Sequence, residues 1–90
     1  MFDSDETADK VHYICQTYVE KAGRQVTLAV DKLFQFTSAA QAEERAEREA
    51  RREGCAGADA YMVTEDPNSG EVSEPTFLAR HGHVPESDAF

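Results

Sequence analysis

The sequence predicts an α+β domain: a four-stranded antiparallel sheet with one helix packed on one face, in the order β-β-α-β-β. Three observations lead there. Residues 11–36 hold two stretches rich in β-branched and aromatic types, separated by a turn. Residues 39–53 consist only of Ala, Glu, Gln and Arg, all strong helix formers. Residues 58–80 hold two more strand-like stretches around the turn Asp66-Pro67-Asn68-Ser69-Gly70.

The first strand is expected over 11–20, where Val11, Tyr13, Ile14, Thr17, Tyr18 and Val19 cluster. The segment from Lys21 to Arg24 with its Gly23 makes the turn, and Gln25–Val30 alternates as a second strand. Asp31-Lys32 is a charged interruption before Leu33–Phe36 continues or bends that strand. The helix is expected over 38–53. Ser38 is a good N-cap, and with Gln41 it fits a capping box. Ala39, Ala42, Ala46 and Ala50 fall on one stripe. Glu44–Arg48, Glu47–Arg51 and Arg45–Glu49 are ion pairs at i,i+4. Gly54 stands where a left-handed C-terminal cap belongs. The third strand is expected over 58–65 and the fourth over 71–80, with Pro75 marking an edge or a bulge.

Composition bounds the function. The 90 residues make one domain, expected over 11–85, with flexible acidic ends at 1–10 and 86–90. The net charge is −9, with 18 acidic and 9 basic residues. That balance argues against direct binding to nucleic acid, whose phosphates it would repel. No run approaches about 18 apolar residues, so no membrane span is expected. The acidic, polar opening lacks the features of a secretory signal, which points to the cytoplasm. Cys15 and Cys55 are then expected as reduced thiols.

Four segments together resemble a known group. They are Ser38 to Arg48, Gly57-Ala58-Asp59-Ala60-Tyr61, Asp66 to Glu71, and Glu74 to Pro85 with its Leu78-Ala79 and Val84-Pro85 close. The pattern resembles small proteobacterial α+β proteins of about this length to which no function is assigned; it covers about residues 36–85. The resemblance implies a fold type and little beyond it.

No residue set points to catalysis. His81 and His83 alternate, but a metal site needs a third ligand at set spacing, so no metal is expected. Asp66–Glu71 superficially resembles a calcium loop. Gly70 stands where that loop needs an oxygen ligand, and Phe77 stands in place of its closing glutamate. Neither cysteine has a C-x-x-C partner. Arg45, Arg48, Arg51 and Arg52 each have a Glu three or four residues away, which makes a solvated helix face the expected account. The expectation is therefore not an enzyme, with no cofactor.

A helix lined with single methyl groups cannot cover every ring in the sheet. Alternation should send some to the opposite face, and an exposed aromatic patch marks an interaction surface. Tyr13, Tyr18, Phe36, Tyr61 and Phe77 are the candidate interface residues. A 90-residue domain also buries a modest share of its surface. The expected function is a non-catalytic protein–protein interaction module forming a homodimer. The alternative is an acidic, nucleic-acid-mimicking inhibitor such as a phage anti-defence (anti-CRISPR-like) protein.

Overall fold

The computed structural model describes residues 10–86. The expected flexible ends lie outside the described residues at 1–9 and 87–90; Lys10 opens the first strand instead of belonging to the N-terminal segment. Four antiparallel strands and one helix follow in the order β1 (Lys10–Lys21), β2 (Thr27–Phe36), α1 (Ala39–Ala50), β3 (Gly57–Glu65) and β4 (Thr76–Gly82). The sheet order is β2-β1-β3-β4, so the two longest strands of the hairpin lie side by side and β2 and β4 form the edges. Among the described residues no helix is long and apolar enough to cross a membrane.

The helix starts as its cap dictates. Ser38 is extended, and its hydroxyl accepts from the Gln41 amide at 3.3 Å. The Gln41 side chain reaches back one residue further than a capping box requires, accepting from the Thr37 hydroxyl at 3.1 Å. Regular helix ends at Ala50, three residues before the expected 53, because the Arg51 and Arg52 amides switch to carbonyls three residues back. Gly54 then turns the chain at φ 89°.

α1 lies over β1 and β3, and Ala42 and Ala46 reach the sheet at Cys15, Ala58 and Ala60. Small residues on both surfaces allow this close approach. Tyr13, Phe34, Phe36 and Leu78 pack around the rim and supply the larger apolar area.

Two bulges set which side chains face the helix. In the β1–β2 ladder Gln16 pairs with Leu33 and Tyr18 with Val30, so Thr17 alone opposes Asp31 and Lys32. The Lys32 amide that the bulge would orphan donates to the Thr17 hydroxyl at 3.0 Å. The charged interruption expected at Asp31-Lys32 is thus one extra residue inside a continuous strand. In the β3–β4 ladder Ala60 pairs with Ala79 and Tyr61 with Phe77, which leaves Leu78 as the extra residue. β4 also begins at Thr76, not at 71 as expected. Pro75 cannot donate to a ladder, and residues 71–75 join β3 through a bridge from Val72 to Glu65, the Asp66 amide donating to the Glu71 carbonyl, and the Ser73 bonds to Thr64. The turn between β3 and this segment is built as read: the Asp66 carboxylate accepts from the Asn68 amide at 2.8 Å, and Gly70 adopts φ 76°.

Candidate interaction surface on the reverse face of the sheet

Pairing and alternation divide the predicted interface residues between two faces. Tyr13, directly opposite both Phe36 and Met62, lies with Phe36 on the helix side, packed against the Ala-lined core. Tyr18, Tyr61 and Phe77 lie on the reverse face. The five residues do not form one patch.

The reverse face holds instead a connected polar chain. Asp59 is 0% exposed, and its carboxylate accepts from Arg80 Nε at 2.7 Å, Arg80 Nη2 at 3.0 Å and the Tyr18 hydroxyl at 2.8 Å. The Gln16 amide donates to the Tyr18 oxygen at 3.1 Å and accepts from the Tyr61 hydroxyl at 2.9 Å. The Arg80 guanidinium lies 4.0 Å from the Phe77 ring centroid, and the same guanidinium donates to the Pro85 carbonyl. Phe77 meets Tyr61 edge-on, with centroids 6.0 Å apart. The chain therefore ties β1, β3, β4 and the segment after β4 together. The β4 bulge makes this possible: residues three apart on a regular strand face opposite ways, yet Phe77 and Arg80 share this face.

Burial and the neighbouring carboxylate disfavour the phenolate of Tyr18 and hold it well above its ordinary range, and burial with Asp59 raises Tyr61 as well. The hydrogen bonds from Arg80 to Asp59 strengthen the guanidinium's hold on its proton. Among the described residues no buried side-chain nitrogen or oxygen lacks a partner. The buried donors and acceptors of this polar chain all find partners within the protein, so its physical role is to lock strands together. The nearest sequence signal is Asp59 itself, a charge inside the otherwise apolar run from Ala58 to Val63 that calls for a buried cation.

The rest of the reverse face is apolar toward β2. Val30 and Leu33, placed on one face by the bulge, are 57% and 56% exposed. Beyond them the Gln35 amide donates to His12 Nδ1 at 2.6 Å, which leaves the His12 ring proton on Nε2 to meet Glu65 at 2.9 Å.

The arginine face of α1 is more engaged than the expected solvated surface. Arg45 and Arg52 both grip Glu49, at 3.1 and 3.0 Å, and Glu49 is buried. Burial opposes ionisation of Glu49, but Arg52 and Arg45 outweigh it and hold the carboxyl below its usual range. Arg45 also lies over the Phe34 ring at 4.0 Å, and Arg52 approaches Asp31 at 3.8 Å. The pairs Arg45–Glu49 and Glu47–Arg51 form as read from the sequence.

No group of three or more His, Cys, Asp or Glu able to hold a metal occurs among the described residues. His83 turns toward Glu20 at 3.4 Å. Cys15 and Cys55 are free thiols. Cys15 lies under the helix, where burial, with Glu49 adding to it, pushes the thiol from 9.0 up to about 11. The unfolded chain releases this proton near pH 9 while the fold retains it. The contribution is whole below pH 9 and is lost as pH rises to about 11, a loss of roughly 3 kcal/mol. Urea unfolding between pH 9 and 10 should show the decline, and Cys15→Ala should remove it there; above pH 10 the raised phenols of Tyr18 and Tyr61 add a decline that Cys15→Ala leaves in place. In the native state a disulfide reagent should modify Cys55 and spare Cys15; equal rates at both thiols would contradict this placement.

Comparison with protein-family models, with curated proteins and with solved structures finds no match for the chain.

Proposed function

We propose that the protein is a non-catalytic protein–protein interaction module that associates with itself as a homodimer. One observation carries the reading: the helix covers one face of the sheet, while on the other the edge strand β2 leaves the aliphatic side chains of Val30 and Leu33 open to water. Exposed aliphatic surface on a strand with one open edge favours association with a partner. The polar chain around Asp59 supports the same reading, because it stiffens the platform that presents this surface. The two free thiols suit a reducing compartment, and a cytoplasmic setting belongs to the same proposal.

The acidic-decoy alternative draws on the charge of −9. It needs unpaired carboxylates in rows on one face, whereas Glu47 and Glu49 on α1 are taken by arginines. Sedimentation equilibrium at tens of micromolar tests the proposal. The expected mass is about 20 kDa, twice the 10.0 kDa chain, and it should persist when ionic strength rises from about 0.1 to 1 M. A single 10.0 kDa species at that concentration would refute self-association.

A further inference from the structure

We infer that β2 is the dimerisation strand and pairs antiparallel with β2 of a second copy, in the register that sets Asp31 of each copy against Lys32 of the other. The inference rests on the homodimer reading and adds its strand and register.

β2 is ten residues long, and among the described residues it has a neighbour on one side only. A symmetric antiparallel pair of identical strands has one free choice, the point where the two-fold axis crosses. An axis through Asp31 sets Asp31 against its own copy, and an axis through Lys32 does the same for the lysines. Like charges directly opposite are unfavourable. An axis between the two residues crosses the charges, Asp31 against Lys32 twice. The same axis sets Val30 opposite Leu33 of the second copy, and the bulge has already put both residues on the reverse face. Two exposed aliphatic pairs are then covered together while the charges pair on the other side of the sheet, where Asp31 meets Arg52 at 3.8 Å. A charged bulge ordinarily protects an edge strand from pairing. Here the two charges are mutually complementary in one register, so they select that pairing and resist its neighbours. The other edge offers no equivalent: β4 has seven residues, and its Arg80 is committed to Asp59. The dimer so formed is a continuous sheet with β2 beside β2 at its centre and α1 of both copies on the same face.

Charge reversal tests the register. Asp31→Lys and Lys32→Asp singly replace crossed pairs with like pairs, and each should weaken dimerisation about tenfold. The double variant Asp31→Lys/Lys32→Asp restores opposite charges and should recover the wild-type dimer. Far-UV circular dichroism and thermal melts check that each variant folds. If wild type is dimeric and the single variants match it, the β2 register is overturned and self-association stands. If wild type is monomeric, both fall. Amide hydrogen exchange gives an answer independent of mutation. Raising the concentration into the dimer range should slow exchange within Thr27–Phe36; slowing confined to Thr76–Gly82 would overturn the assignment.

Discussion

Replacing Asp59 with alanine is expected to lower the unfolding free energy by about 3–5 kcal/mol, the usual cost of removing one partner from a buried ion pair. The carboxylate is wholly buried and accepts three hydrogen bonds, two from Arg80 and one from Tyr18. The two partners are not equally harmed by its loss. Arg80 keeps a side chain 25% exposed to water and the Pro85 carbonyl as an acceptor, so part of its charge is solvated whatever happens to Asp59. Tyr18 is 1% exposed, and its hydroxyl would lose its acceptor with no water in reach. The cost therefore depends heavily on the phenol. Tyr18→Phe, which removes the donor together with its need, should cost only about 1 kcal/mol. Combined with Asp59→Ala it should cost less than the sum of the two single changes. Urea denaturation of the four proteins checks the cycle. Small domains of this kind have about 5–15 kcal/mol in total, so the loss takes a large share of the stability and should lower the melting temperature by well over about 10 °C. A loss under about 1 kcal/mol for Asp59→Ala would mean that the polar chain holds nothing together.

How far the sequence disclosed this arrangement depends on parity. The helix was legible because its signals are local: the Ser38 cap and the alanine stripe at 42 and 46 act within a few residues, whereas Gly54, read as the C-terminal cap, lies three residues beyond the Arg51 cap and turns the chain there. The four strands and their order were legible from composition and from turns such as Asp66–Gly70. Facing was harder. In an unbroken strand residues five apart point opposite ways, so Tyr13 and Tyr18 on β1 could not have shared a surface, and the structure separates them. Across β2 and β4 that rule fails, because one extra residue in each strand reverses every assignment beyond it. The bulge at Leu78 brings Phe77 onto the same face as Arg80, and the bulge at Asp31-Lys32 brings Val30 beside Leu33. A bulge is settled by the partner strand, so nothing within β4 alone announces it. Asp59 and Arg80 were not singled out from the sequence, although one is a charge in an apolar run and the other an arginine outside the helix. Their meeting required knowing that β3 and β4 pair in the register Asp59 opposite Arg80.

Gly57→Ala carries the second large effect and tests the same lock from behind. Gly57 opens β3 directly opposite Tyr18 and Gly82. A Cβ built there falls against the His83 carbonyl oxygen and 2.7 Å from the His81 carbonyl oxygen, closer than real Cβ atoms approach. Both obstacles are backbone, so no rotamer change relieves them. The end of β4 and the residues after it must move away from β3, at a cost of about 3 kcal/mol. Gly70 is the control, because its restriction is of the other kind. It sits at φ 76° with nothing within 4 Å of a built Cβ, so Gly70→Ala meets only the left-handed backbone penalty of about 1 kcal/mol. The displaced segment runs from His83 to Pro85, and Pro85 is the carbonyl that holds Arg80 over Asp59. Moving it loosens the guanidinium's grip, so Gly57→Ala and Asp59→Ala should interact: the double variant should lose measurably less than the sum of its parts. Gly70→Ala, on a turn that touches none of these groups, should add to Asp59→Ala within about 0.5 kcal/mol. Strict additivity in the first pair would separate the Gly57 contact from the polar chain and leave the strap after β4 without a part in holding Asp59.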